Sequence, residues 1–219
     1  MQPEDIRAIF ENAGDLEEHT VAAGGQVLTA FFIDGLTSSG DIAEYVVQPL
    51  VRCIRPGTME SVFRQAQNGA VWCASVSTAD TPDAAAQKLV NGFCVVVFPG
   101  LGQALCFETK TGEKRSPSAP ESESTVKGAK DAFTETVRTN TSLIRRHLRS
   151  PRLRLEERVV GTMTLTNVTL CYLDGVTPPE LVARMRARLA DIQVEGLLSP
   201  AAVEETVTGA RRTAFPLLE

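Results

Sequence analysis

FFIDGLTSSGD, residues 31–41, and CYLDGVTPPEL, residues 171–181, follow one pattern: an apolar run, Asp-Gly, a Thr two residues later, and the start of a helix. A shift of 140 residues lays Asp34 over Asp174, Gly35 over Gly175 and Thr37 over Thr177. In each copy the apolar run reads as a strand and the Gly as a turn residue suited to positive φ. The Ser or Thr that follows suits a helix cap. A strand, a turn and a helix cannot bury their apolar surface alone, so each copy requires further strands from its own half. The expected fold class is therefore α/β: two small α/β subdomains with mixed sheets and flanking helices, joined by a polar linker.

The linker is visible in composition. TKTGEKRSPSAPESES, residues 109–124, has almost no apolar side chain and is rich in Ser, Thr and Pro. It places a domain boundary near residue 117, giving an N-terminal subdomain 1–117 and a C-terminal subdomain 118–219 that begins with a long helix. Within the first half, PEDIRAIFENAG reads as a helix burying Ile6, Ile9 and Phe10. Thr81-Pro82 reads as an N-cap followed by Pro at the first helical position. FCVVVFPGLGQALCFE reads as two antiparallel strands around a tight turn at residues 99–102, and AVWCASV as another strand. In the second half the helix around residues 128–150 is assigned an apolar stripe of Phe133, Val137, Ile144 and Leu148. A β-branched stretch turns near Thr166-Asn167. Thr177, Pro178 and Glu180 then offer a capping box to a last helix carrying Val182, Met185 and Leu189.

Bulk properties exclude several classes. The 219 residues are 43% hydrophobic, enough for one large core or two small ones. Twenty-two Lys and Arg against 27 Asp and Glu leave a formal charge of -5, and aromatics make up 5%, so no nucleic-acid partner is expected. The five cysteines form no CxxC pair and read as core thiols in a reducing compartment. No apolar run approaches the length that spans a bilayer, so the chain as given is expected to be soluble. His19 and His147 lack any metal-ligand pattern, no nucleophile elbow appears, and no cofactor or metal is expected. The chain is not read as an enzyme.

Two candidate sites remain. The Asp-Gly turns, with Asp34, Gly35, Thr37, Asp174, Gly175 and Thr177, stand where a strand end meets a helix N-terminus, a place where α/β folds hold small ligands. The same residues also make an ordinary turn, in which Asp174 accepts bonds from its own turn's amides. The second site is a basic cluster of Arg138, Arg145, Arg146, His147, Arg149, Arg152, Arg154 and Arg158, spread over 21 residues and balanced locally by Glu156 and Glu157. It suits an acidic protein surface or anionic lipid heads. A solvated helix end is the plainer account.

Spaced motifs add a resemblance. Val126-Lys127-Gly128, Phe133-x-Glu135, Asn140-Thr-x-Leu-Ile-Arg-Arg and Tyr172-Leu-Asp-Gly175, together with FIDGLTSSGDIAEYVVQPL, resemble the N-terminal domain of the GerA-type spore germination family. That family includes germinant receptor A subunits and a stage V sporulation homologue. Ala132 stands where the family usually has Gly. The resemblance implies two small α/β subdomains followed by a membrane part. It implies a sensing and assembly role in a germination receptor or ion-channel subunit, with partners among the other germination-complex subunits, copies of itself and membrane headgroups. It implies an inner spore membrane location for the full-length protein, with this domain on the core side. The alternative is a stand-alone small-ligand module using the Asp-Gly turns.

Overall fold

Two of the apolar runs show no alternation because they are interior strands covered on both faces. In the computed structural model, residues 1–71, 75–109 and 132–192 are described, together with Glu195 and Val203. The chain folds as two compact units, Met1–Arg154 and Leu155–Glu219. The boundary expected near residue 117, and the polar linker around it, lie outside the described residues.

In the first unit, β1 (Leu16–Ala23), β2 (Gln26–Ile33), β3 (Val76–Ala79), β4 (Phe93–Val97) and β5 (Ala104–Glu108) form a sheet of order β1-β2-β4-β5-β3. The α/β class with flanking helices is as expected, and the pairings of this sheet are antiparallel throughout. Alternate residues of each strand enter different cores. Ala30, Phe32, Cys94 and Val96 pack with Ile42, Val46, Leu50, Val62 and Phe63. Those partners come from α2 (Ser39–Ile42), α3 (Gln48–Cys53), α4 (Met59–Gln65) and the turn between α2 and α3. On the other face, Phe31, Ile33, Val95 and Val97 pack with Ile6 and Phe10, from α1 (Pro3–Ile9) and its C-cap, and with Ala85 and Leu89 from α5 (Pro82–Val90).

Local chemistry sets the helix ends. Thr81 accepts from Ala84 N and caps α5 with Pro82 behind it, and Ser38 accepts from Asp41 N and caps α2. Between α2 and α3 the ladder widens to a π-helical turn, Ala43–Val47, in which Gln48 N donates to Ala43 O. Pro49 follows directly. Its ring crowds the carbonyl four residues back and supplies no donor to it, so the wider turn relieves an interior proline. LEEHTVAA, by contrast, has no legible strand signal, because β1 is an edge strand with a largely exposed, charged middle. The strand expected from residue 70 starts at Val76, and residues 72–74 lie outside the described set.

The long helix, α6 (Val137–His147), belongs to the first unit rather than opening the second. In the second unit, β6 (Leu153–Val160) and β7 (Thr166–Leu173) form a two-stranded sheet whose five-residue connection, 161–165, makes it a hairpin. α7 (Pro179–Ala190) follows and buries Val182 and Leu189. Its N-cap is Pro178, with no side-chain cap, so the expected capping box is not formed. A polar knot ties the three elements together. Arg186 Nε donates to Glu156 Oε2 at 2.8 Å, Tyr172 Oη donates to Glu156 Oε1 at 2.6 Å, and Arg186 Nη2 reaches Tyr172 Oη at 3.0 Å. The Arg186 hydrogen bond holds the Glu156 carboxyl below the ordinary carboxylate range, whereas burial and then the Glu156 bond push the Tyr172 phenol up.

The Glu156 contribution is present above the ordinary carboxylate range and is lost as pH falls through its lowered pKa. Glu156→Gln should therefore destabilise the second unit by about 1 kcal/mol at neutral pH, a figure limited by solvent screening at the partly exposed Arg186. The difference from the native chain should disappear on acidification, as read by urea melts across pH. The cysteines, read from sequence as core thiols, divide: Cys94 and Cys106 are buried, and Cys53 and Cys171 are exposed. Cys73 lies outside the described residues. Burial pushes the Cys106 thiol up to about 11. A thiol reagent followed by peptide mapping should modify Cys53 and Cys171 in the folded chain, and Cys94 and Cys106 only in denaturant.

Candidate functional site

The first Asp-Gly turn is closed from within and seated from without. Gly35 has φ +80°, a conformation that disfavours other residues, and its N–H donates to Asp34 Oδ1 at 2.8 Å. Thr37 is buried and donates its hydroxyl to Ile33 O at 3.1 Å. Asp34 N donates to Asp15 O at 2.9 Å. The other carboxylate oxygen, Asp34 Oδ2, accepts from Arg138 Nε of α6 at 2.9 Å. A Cβ built on Gly35 would lie 2.7 Å from Ser142 Cβ. Glycine is needed here for two reasons, the backbone angle and the close approach of a helix. Asp34, Gly35 and Thr37 are thus engaged in folding and in seating α6.

α6 meets this seat with a polar face. Arg138, Thr141, Ser142 and Arg145 fall at i, i+3, i+4 and i+7, so they share one side of the helix, and the last three are buried. The apolar stripe expected from the sequence is not the buried one: Phe133 precedes the helix and is exposed, as is Leu148. The reason is the surface opposite, which carries the carboxylates of Asp15 and Asp34. Arg145 is fully buried, and the Asp15 side chain is only 3% exposed. Its Nε and Nη2 donate to Asp15 Oδ2 and Oδ1 at 2.9 and 2.7 Å, a two-pronged bond that suits a planar guanidinium. Its Nη1 donates to Ser150 O and Leu153 O at 3.0 and 3.2 Å. One side chain thereby joins the loop before β1, the end of α6 and the first residue of β6.

The basic cluster is consequently not one surface. Arg145 is withdrawn from it, and charge reversal there would bury an unpaired carboxylate beside Asp15 rather than alter a contact. Arg154 is also buried and donates Nη1 to Pro151 O at 2.7 Å. Arg138 is partly covered by its role at Asp34, and Arg146 is half-buried. Arg149 and Arg152 are exposed in the first unit, and Arg158 in the second. In the second Asp-Gly turn, Gly175 has φ +70°, and the amides of Val176 and Thr177 go to Leu173 O at 3.2 and 2.9 Å. The first of these bonds repeats the Leu36 N to Ile33 O bond of the first turn, and Asp174 and Gly175 are exposed.

Two open concavities of ≈ 610 Å³ each occur elsewhere. One lies along α4, lined by Thr58, Ser61 and Gln65, and the other lies beside Val160, Leu189 and Ile192. Neither is lined by an Asp-Gly residue. Among the described residues there is no group of three or more His, Cys, Asp or Glu able to hold a metal ion. No described helix is long and apolar enough to cross a membrane. Arg145 was legible as a cation but not as a buried one. The usable signal is its spacing from Arg138, two helical turns with Thr141 and Ser142 between them.

Removing one partner of the buried pair should be severe. Arg145→Met or Asp15→Asn should lower stability by about 3–5 kcal/mol, and Asp15→Leu combined with Arg145→Met should recover part of the loss. Asp34→Asn, at the half-exposed pair, should cost no more than about 1 kcal/mol. Denaturant midpoints of the four chains check the order.

The geometry belongs to a known lineage. The Bacillus/Clostridium GerA spore germination protein family matches residues 4–219. Stage V sporulation protein AF of Bacillus subtilis is 32% identical over 146 residues, covering 66% of this chain and 30% of that protein. Spore germination protein KA of the same organism is 26% identical over 191 residues, 87% of this chain and 35% of that one. The fold is that of the solved N-terminal domain of the A subunit of the Bacillus megaterium spore germinant receptor GerK3, with a TM-score of 0.68 at 23% identity over 97% of this chain and 78% of that one. The chain spans about a third of the length of the curated relatives it matches. It is a member of the Bacillus/Clostridium GerA spore germination protein family.

Proposed function

We propose that this chain is a sensing and assembly domain of a membrane spore germination protein, and that it works by contact with other subunits rather than by chemistry of its own. The observation that carries the reading is the division of labour among the arginines. Arg145 is buried and consumed by the fold, and Arg138 is partly covered by its pairing with Asp34. Arg149 and Arg152 lie exposed just beyond the C-terminus of α6, Arg149 Nε also donating to Arg146 O at 3.2 Å, in a chain of net charge -5. Exposed cations at a helix end in an acidic protein suit an acidic partner surface, which steers approach and fixes register. The full-length protein would hold this domain beside the inner spore membrane on its core side, where anchoring supplies the local concentration that weak contacts need. The second reading, a free-standing ligand module at the Asp-Gly turns, has less support because Asp34, Gly35 and Thr37 already serve α6.

The test uses the full-length protein. Arg149→Glu with Arg152→Glu should reduce recovery of partner subunits by about tenfold, while the 219-residue chain carrying both changes melts as the native one does. Unchanged recovery would remove the arginines from the interface. A shifted melt would mean that they serve the fold.

A further inference from the structure

Two ion pairs of α6, one near each end, differ in one respect that matters for motion. At the C-terminal end, Arg145 and Asp15 are 0% and 3% exposed. At the N-terminal end, Arg138 and Asp34 are 42% and 32% exposed. A buried, two-pronged pair is hard to open because opening strands a charge away from water, whereas a half-exposed pair is replaced by water and screened by salt. Between the two, Thr141 and Ser142 are buried but bond their own helix: Thr141 Oγ1 donates to Arg138 O at 3.0 Å and Ser142 Oγ to Thr139 O at 2.7 Å. Hydroxyls that return to carbonyls three residues back weaken the helical ladder and favour a bend there. Leu143 is the one fully buried apolar side chain of the helix, and Val137 and Ile144 are only partly covered, so its apolar packing is limited.

From this geometry we propose that α6 is a pivoted strap. The Arg145–Asp15 pair is its pivot, residues 138–142 are its flexure, and the Arg138–Asp34 pair is a latch that opens without unfolding the sheet. The pivot is reinforced by the bonds from Arg145 to Ser150 O and Leu153 O, so the course of the chain into β6 stays set while the latch is open. Opening lifts Ser142 from Gly35 and uncovers the Asp34 carboxylate, which then presents an acceptor suited to a guanidinium or ammonium group of a partner. The device is independent of the role proposed above for Arg149 and Arg152, which lie beyond the pivot and do not move with the latch.

Amide hydrogen exchange on the 219-residue chain tests this without requiring a variant to fold. Raising KCl should speed exchange of the amides of Asn140 to Ser142 by about two- to fivefold and leave those of Ile144 to Leu148 unchanged. Arg138→Met should reproduce the effect at low salt and remove the salt response. Equal acceleration of both halves would mean that the helix lifts as one body and has no pivot, and no response in either half would mean that the exposed pair latches nothing. Either result overturns the proposal. Salt or Arg138→Met could speed exchange in this way while subunit recovery in the full-length protein is unaffected by changes at Arg149 and Arg152, so the two ideas fail separately.

Discussion

The bond between the Arg145 guanidinium and the Asp15 carboxylate joins residues 130 positions apart in the sequence and stands almost wholly out of water. Taking both charges from water is expensive, and the pair is tolerable because both groups are hydrogen-bonded at several points. Both carboxylate oxygens of Asp15 are engaged by Arg145, and the remaining guanidinium N–H bonds go to two backbone carbonyls. The Asp15 carbonyl in turn holds the amide of Asp34. The Asp-Gly turn, the helix α6 and the entry to β6 are therefore positioned by one satisfied group, and loss of either partner would leave the other charged and stranded.

This arrangement explains why a helix with an arginine-rich sequence is found against a core rather than in solvent. Helix docking by an apolar face tolerates small slips, since one methyl group replaces another. Docking by two guanidinium groups, with a serine laid over a glycine, does not, because the hydrogen bonds require particular distances and Gly35 leaves no room for a Cβ. The specificity of the seat comes from its polar groups, and its modest strength comes from the same source.

The repeated Asp-Gly turn has one local structure and two settings. Both copies carry a strand into a glycine at positive φ and a helix out of it. In the first, the aspartate and the glycine receive a helix; in the second, backbone bonds to Leu173 close the turn, and the turn is exposed. Among the described residues the sheets around them differ as well, five strands in one unit and two in the other. Local resemblance in sequence thus predicted local conformation in both copies and neighbourhood in neither.

What was legible in the residues was short-range. The apolar runs of β2, β4 and β5, the Thr81-Pro82 cap, the tight turn at residues 99–102, the glycine turns and the family motifs could all be read directly, since each depends on neighbours a few positions away. The unread parts share a cause. β1 is a charged edge strand defined by its register with β2, and the exposure of Cys53 and Cys171 depends on which side of an element meets the core. Arg145 reads as a surface cation by its residue type, and only its spacing from Arg138 on one polar helix face points inward. Sequence alone determined the glycine turns, the Thr81-Pro82 cap and the lineage. The tertiary structure decided which face of α6 is buried, because only there does Asp15 arrive to make a buried guanidinium more stable paired than bare.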